Sequence, residues 1–445
     1  MESLWQKETP YIRAKQYVSG DKHRDVIVIG AGMAGILTAY YLRNKGLKVL
    51  VLEADEIASG QTGRTTAKIT SQHDIKYSKL VRTVGMKKAA LYAKAQEAAI
   101  KEYDRIITEQ GIECEFERVP AYLYTLEDEQ LVIDEAEAAV NLGIDAYFTR
   151  NTELPFPVKG AVCFRNQAQF SPIKFVRHIA SGLEILEHTK VLDIKGNKVI
   201  TKNTVFNADR IVVATHYPII NAPGFYFLRQ HQERSYVLAL SGCPQIKGMY
   251  YGIDENGLSL RQSGDKLLLG GGAHRTGKNR NGGSYCFIRQ EAQKYYPQGT
   301  ETAHWSAQDC MPHDEIPFIG RYSFFTPNLY VITGFQKWGM SASMVAAMII
   351  SDEICGIKNP YRKVFSPQRM NVVAGLKKFL VDIGVSVKGL ATGWLGAKQR
   401  RCPHMGCELK WNEEEQSWDC PCHGSRFATG GELLDNPSQK SCSEK

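Results

Sequence analysis

Several things are missing from this 445-residue chain, and each absence removes a class of function. No apolar run approaches the ~20 residues needed to cross a bilayer, so no membrane-spanning helix is expected. No dense Lys/Arg tract accompanies the formal charge of +8, so nucleic acid is not the expected partner. The opening stretch, MESLWQKETPYIRAKQ, is too charged for a signal peptide, and the expected location is the cytoplasm. Cysteine is sparse through the first 401 residues. Cys114, Cys163, Cys243, Cys286, Cys310 and Cys355 are scattered, which suits reduced, mostly buried thiols. The other five of the 11 crowd the last 44 residues and mark a separate functional unit. Hydrophobic content of 43% and charged content of 23% are ordinary for a globular protein, and the length suits two or three domains.

Residues 25–53 read DVIVIGAGMAGILTAYYLRNKGLKVLVLE. The pattern predicts a strand at Asp25–Ile29, the turn Gly30-x-Gly32-x-x-Gly35, a helix to Asn44 and a second strand at Lys48–Leu52. Gly30 permits the tight turn and Gly32 lets the backbone approach a pyrophosphate. Gly35 allows close helix–strand packing, and Glu53, 18 residues further on, would hydrogen-bond a ribose hydroxyl. The segment ADEIASGQTGRTTAKITSQHD follows, with Arg64 and Lys68 available to a diphosphate. Later, NLYVITGFQKWGMSAS predicts a strand ending at Thr333-Gly334 and a helix opening near Gly339-Met340. Such a helix N-terminus would stabilise negative charge on a reduced flavin ring.

With ADRIVVATHYP (Ala208–Pro218), these pieces resemble the D-amino-acid oxidase-like superfamily of FAD-dependent oxidoreductases, from about Asp25 to Gly356. The resemblance implies FAD contacts at Gly30, Gly32, Gly35, Glu53, Thr62, Arg64, Thr66, Ala67, Val191, Ala214, Gly334, Gly339 and Met340. It also implies an α/β, Rossmann-like FAD-binding domain interleaved with an α+β substrate domain. No second GxGxxG follows a strand, and no CxxxxC pair accompanies the flavin segments. Electrons are therefore expected from an organic substrate, not from a nicotinamide cofactor.

Two intervals interrupt the FAD-binding pieces. One carries a helical pattern with apolar Leu91, Ala95, Ala98, Ile100, Ile106 and Ile107; the other carries the strand-like YVLALSG and GLSLRQSGDKLLLGGG. Further on, WSAQDCMPHDEIPFIG is similar to W-x-x-x-R-P-x-T-x-D-G-x-P-x-I-G of amino-acid-oxidising relatives. Trp305, Asp314, Pro317 and Gly320 match, but Asp309 stands where an arginine often grips a substrate carboxylate. This tilts the expectation toward a cationic amine, unless Arg261 binds substrate instead. His73 and His216 follow FAD motifs and are candidates for a base or polar contact near the ring. Cys310 is the candidate for a covalent flavin link, although its spacing is off.

The cysteine-rich end reads CPHMGCELKWNEEEQSWDCPCHGS. Its spacing, Cys402-x-His404 … Cys420-x2-His423 with Cys407 and Cys422 to spare, admits zinc or an iron–sulfur site. It resembles Rieske [2Fe–2S] proteins with an extra cysteine in each loop. That resemblance implies Cys402, His404, Cys420 and His423 as ligands, a Cys407–Cys422 disulfide, and an exposed histidine edge. Ser425 matches a serine donor of respiratory relatives, but Phe427 occupies the tyrosine position, so a lowered reduction potential is expected. Several base strands of a full Rieske domain are absent, so the small unit should pack on the flavoprotein body or a neighbouring subunit. The preceding segment reads as a helix with Leu376, Phe379, Leu380 and Ile383 on one face. It could touch a membrane surface, but packing on protein is the expectation.

The expected organisation is an FAD-binding domain at 22–75, 151–217 and 301–356, a substrate domain at 76–150 and 218–300, a helical linker at 357–398 and a Rieske-type segment at 399–445. The expected function is oxidation of a small amine or amino-acid-like substrate, with electrons passing from FAD through the cluster to an external protein or quinone. A homo-oligomer is compatible with this. Two other readings stay open: a reductase fed through the cluster by a donor protein, and a zinc-stapled, non-catalytic flavin-binding module.

Overall fold

The run Val26–Ile29 is buried throughout, as an inner parallel strand requires. In the computed structural model, which describes residues 2–9, 23–278, 282–369, 381, 382, 384–386, 388, 389 and 400–442, it lies in strand His23–Ile29. Val49–Leu52 pairs with it in parallel on one side and Val205–Val213 on the other. Glu184–Leu186 extends the sheet beyond the first, and Leu329–Thr333 beyond the second. Phe318–Arg321 closes that edge antiparallel, and the hairpin of Val191–Lys195 with Lys198–Thr201 joins Val205–Val213. Helix Met33–Asn44 packs against helix Gly339–Ile354. Met344–Ala347 and Ile349–Ile350 are buried, the pattern of a helix enclosed on all sides.

A second, nine-stranded sheet stands beside the first. Its order is Thr300–Pro312, Gln230–Ser241, Lys266–Arg275, Ser259–Ser263, Met249–Gly252, Glu117–Thr125, Gly160–Gln169 and Lys68–Ile69, with Ala146–Thr149 on Gly160–Gln169. Lys68–Ile69, Gly160–Gln169 and nearly all of Thr300–Pro312 come from intervals the sequence reading gave to FAD binding. Helix Met86–Gln110 buries Tyr92, Ala95, Ala99, Ile100, Tyr103 and Ile106, and it packs on Gly339–Ile354. It therefore shares one core with the nucleotide-binding sheet.

A third sheet is a four-stranded meander, Lys410–Asn412, Ser417–Asp419, Arg426–Ala428 and Leu433–Asp435. The helix face expected at Leu376, Phe379, Leu380 and Ile383 lies outside the described residues. Near the N-terminus, helix Leu4–Glu8 buries Trp5, whose Nε1–H donates to the Thr65 carbonyl at 2.6 Å. Among the described residues, no helix is long and apolar enough to cross a membrane.

Candidate functional site

One cavity of about 660 Å³ organises the molecule, a size ordinary for a ligand site. All the expected FAD contacts line it except Gly35 and Ala67, which act from behind. Gly30 takes φ +107, and a Cβ there would come within 2.6 Å of the Ala214 carbonyl. A Cβ on Gly35 would run into the Gly30 carbonyl, so the helix can approach the strand only without one. Glu53 accepts from Ala31 N–H at 2.6 Å and Asp55 N–H at 2.9 Å; burial raises its pKa. Thr62 accepts from Met33 N–H at 2.9 Å, tying the loop at 61–64 to the helix start. Arg64 lines the cavity with a buried Nε that has no partner among the described residues. A guanidinium with an unpartnered buried Nε beside glycine-framed backbone is a donor set that suits a dinucleotide diphosphate, so the residues present fit FAD. Trp305 also contributes, donating to the Arg64 carbonyl at 2.8 Å.

Asp309 and Lys337 both line the same cavity. Burial pushes the Asp309 carboxyl up to about 7, Lys337 and Arg234 pulling down and Glu233 pushing up. Burial would lower the Lys337 ammonium, but Tyr251, Glu233, Asp309 and Asp74 outweigh it and raise its pKa. Lys337 therefore stays charged, 6.0 Å from the centre of the Tyr251 ring. The sequence reading missed Lys337 although it quoted its motif. The available signal was a lone cation in the apolar, glycine-rich TGFQKWGM.

His216 also lines the cavity. Burial takes its pKa down to about 4, and Nε2 is buried without a partner among the described residues. Three other candidates sit elsewhere. His73 is committed to the core: its ring nitrogens meet Tyr92 Oη, the Thr70 carbonyl and Ser341 Oγ, and it stacks on Trp338. Arg261 does not grip a substrate, because its Nη1 donates to the carbonyls of Thr66 at 2.8 Å and Ala67 at 2.9 Å. It holds the FAD loop from behind, over the Trp5 ring. Cys310 is buried off the cavity lining, with its thiol donating to the His216 carbonyl at 3.5 Å.

In the cysteine-rich segment, the two loops repeat one turn. Cys402 N–H donates to the Cys407 carbonyl and Gly406 N–H to the Cys402 carbonyl, both at 2.8 Å. Cys420 N–H donates to the Ser425 carbonyl at 2.8 Å and Gly424 N–H to the Cys420 carbonyl at 2.9 Å. The Cys407–Cys422 disulfide joins the loops, with Cα atoms 6.7 Å apart. The sulfurs of Cys402 and Cys420 lie within hydrogen-bonding reach of each other, with Ser425 beside Cys402.

The His404 and His423 rings stand 5.1 Å apart at 89°. Burial takes their pKa values down to about 4 and about 3, so both are neutral. Each has a buried Nδ1 with no partner among the described residues. His404 Nε2 meets Asn221 Oδ1 at 2.8 Å, which puts the proton on Nε2 and leaves the Nδ1 lone pair for a metal. Two neighbouring sulfurs and two orphaned imidazole nitrogens fit a [2Fe–2S] cluster, with cysteines on one iron and histidines on the other.

The histidine edge is only partly open to solvent: His404 is half-buried and His423 is covered. His423 is 4% exposed, and Phe227 stands edge-on to it at 5.7 Å and to His404 at 6.2 Å. The cause is docking, because the third sheet leans on the second. Arg275 donates to the carbonyls of Pro421 and Cys422, each at 3.0 Å, and also pairs with Asp382. Gln308 Nε2 donates to the Gly424 carbonyl at 2.9 Å. Glu415 is buried between Arg234 at 2.9 Å and Arg426 at 3.1 Å. Leu433–Asn436 and Gln439 then reach the FAD cavity and form part of its wall.

The comparisons with known proteins agree with both halves. The family described as FAD dependent oxidoreductase matches residues 25–353, and the Rieske [2Fe-2S] domain matches 373–444. The Rieske 2Fe-2S iron-sulfur protein YhfW of Bacillus subtilis (strain 168) is 35% identical, over 99% of this chain and 96% of its own length. Glycine oxidase from Geobacillus kaustophilus superposes with TM-score 0.66 at 17% identity, covering 78% of this chain and 99% of that one. L-proline dehydrogenase from P. horikoshii gives TM-score 0.66 at 17% identity, over 78% of this chain and 98% of that one. The chain belongs to the FAD-dependent oxidoreductase family, and it joins that flavoprotein to a Rieske [2Fe–2S] domain.

Proposed function

We propose that this oxidoreductase is a cytoplasmic dehydrogenase of a small amino-acid-like substrate, delivering electrons from FAD through the Rieske centre to an external acceptor. FAD supplies a two-electron acceptor and the cluster a one-electron relay. Cys402 and Cys420 with His404 and His423 are the proposed cluster ligands, and the cavity-lining FAD motif residues, backed by Gly35 and Ala67, are the proposed flavin site.

One observation carries the reading. A single cavity is lined by the FAD motif, by Asp309 and Lys337, and by Leu433–Asn436 of the Rieske unit. Opposite charges in one pocket suit a zwitterion, with Lys337 drawing the carboxylate and Asp309 the amino group. Asp309, poised near neutrality, can also take the amine's proton, since oxidation requires a neutral nitrogen. His216, neutral at pH 7, offers a further polar contact without charge. Glycine oxidase and L-proline dehydrogenase, two of the fold neighbours, act on amino acids by name, which supports this substrate class. The acceptor would dock beside His404, the less enclosed of the two histidines.

The test is an anaerobic titration with small amino acids and amines, following flavin bleaching and then the cluster's EPR signal. Flavin bleaching followed by cluster reduction supports the proposal. If no such compound bleaches the flavin while a reduced ferredoxin does, electrons run the other way. Zinc in place of iron and acid-labile sulfide would leave only the stapled flavin-binding module.

A further inference from the structure

Away from the FAD cavity and the Rieske ligands, side chains from three parts of the chain converge on one point. His231 stands on strand Gln230–Ser241, and His313 directly follows strand Thr300–Pro312, which pairs with it antiparallel. Asp382 belongs to the segment that leads to the Rieske loops. His231 Nδ1 and His313 Nε2 meet the same oxygen, Asp382 Oδ2, at 3.0 Å and 2.6 Å. One ligand atom from each residue lies within 4.8 Å of the other two. The three side chains are 12%, 9% and 13% exposed, so water covers little of the cluster.

The outer atoms of the cluster are held as well. His231 Nε2 faces Glu233 Oε1 at 3.2 Å, and Arg275 engages Asp382 Oδ1. A neutral imidazole has a single N–H, so His231 can donate to Asp382 or to Glu233 but not to both. A cation on Nδ1 resolves the conflict, because the N–H then sits on Nε2 and donates to Glu233. An outer carboxylate that fixes the tautomer of a ligating histidine is a recurrent feature of metal sites. Arg275 plays the matching part for the carboxylate, holding the oxygen turned away from the imidazoles. Two imidazole nitrogens and one carboxylate oxygen suit zinc, whose ligands stand about 2.0–2.2 Å from the ion.

We propose that His231, His313 and Asp382 bind one zinc ion, separate from the Rieske centre, with water in the fourth position. None of the three lines the FAD cavity, so the ion is structural. It fastens the segment carrying Asp382 to the second sheet. Arg275 also donates to the carbonyls of Pro421 and Cys422, so one surface of that sheet holds both the leading segment and the Rieske loops. A small unit with little core of its own is the kind that a metal cross-link stabilises.

The experiment uses the full chain with FAD and a complete [2Fe–2S] complement, freed of loose metal by a chelator and dialysed against zinc chloride. One zinc per chain is expected, and X-ray absorption at the zinc edge shows nitrogen and oxygen neighbours without sulfur. Glu233→Gln keeps all three ligands and weakens zinc binding by about 10- to 100-fold. His313→Gln and Asp382→Asn each lose a ligand and weaken it further. Zinc raises the unfolding temperature of the wild type but not of D382N. His304→Gln is the control: His304 belongs to a different ion pair, with Glu301 at 2.7 Å, and its loss leaves zinc affinity unchanged. No zinc at full iron content overturns the proposal and leaves a plain ion-pair cluster. Zinc bound through sulfur, or an affinity unchanged in both H313Q and D382N, overturns it too. If these variants do not fold, the wild-type spectrum decides: nitrogen and oxygen neighbours support the site, and sulfur overturns it.

Discussion

Gln232 holds the carbonyl of His423, its side-chain amide donating at 2.8 Å, and the same nitrogen reaches the Asn436 carbonyl at 2.9 Å. One buried side chain of the second sheet therefore clamps a proposed cluster ligand and a residue of the FAD cavity wall. Gln232→Leu leaves both carbonyls without this donor, costing about 1–3 kcal/mol. The expected outcome is a lower unfolding temperature with a reduced iron-to-flavin ratio. Unchanged iron retention would show that the clamp does not hold the loop.

Substrate selection should divide between Asp309 and Lys337. Lys337→Met removes a charge-assisted contact worth roughly 1.5–3 kcal/mol, or about 10- to 150-fold in kcat/KM. That loss should appear with amino acids and be small with simple amines. Asp309→Asn should weaken binding of both.

Asp309 also sets a pH dependence. Its carboxyl titrates at about 7, so the ionised form is present above that pH and lost below it. Productive binding of a cationic amine should rise as pH increases through 7, and D309N should erase that inflection. The check is kcat/KM for one substrate across pH 5–9 in both proteins.

The contact between the Rieske unit and the flavoprotein should be acid-sensitive. Burial would raise the Asp435 pKa, but Arg426, Arg64 and Arg234 hold it down to about 2. Because the folded value is depressed, the stabilisation is fully present above the unfolded value of ~4 and is lost as pH falls toward 2. The amount is about 2 kcal/mol. Unfolding midpoints measured across that window should drop, and Asp435→Asn should flatten the drop. Glu415, held low mainly by Arg234 and Arg426 against its burial, adds in the same direction.

Cutting the staple between the two loops tests what keeps them registered. The Cys407–Cys422 bond closes a 15-residue separation, for which chain entropy alone gives about 3 kcal/mol. Cys407→Ser with Cys422→Ser should release iron at a lower temperature while FAD stays bound. Equal loss of both cofactors would mean that the loops and the flavin site unfold together.

Local chemistry was legible in the sequence wherever it depends on spacing along the chain. GxGxxG with Glu53 needs only one strand–turn–helix unit, and helix Met33–Asn44 ends where the sequence reading placed its end. The two CPxxG turns are likewise self-contained, each closed by hydrogen bonds between its own residues. Roles that depend on which side a residue faces were not legible. Arg261 and His73 are polar residues of the expected type near the expected motifs, yet their partners are carbonyls and hydroxyls contributed from elsewhere in the fold. Lys337 acquires its proposed role because the second sheet brings Asp309 and Tyr251 to the same cavity.

The sequence by itself determined the two cofactors and the turn of each cysteine loop, because each of those motifs is a short local unit. Tertiary structure alone decided that the two sites share one body and that Asn221 and Phe227 pack against the two histidines. It also decided that the small Rieske unit leans on Gln232, Arg234, Arg275 and Gln308. Those four residues come from three strands of one sheet, and only pairing between segments tens of residues apart aligns them. The physical reason is that a unit too small to bury its own polar backbone must have its carbonyls satisfied by another surface.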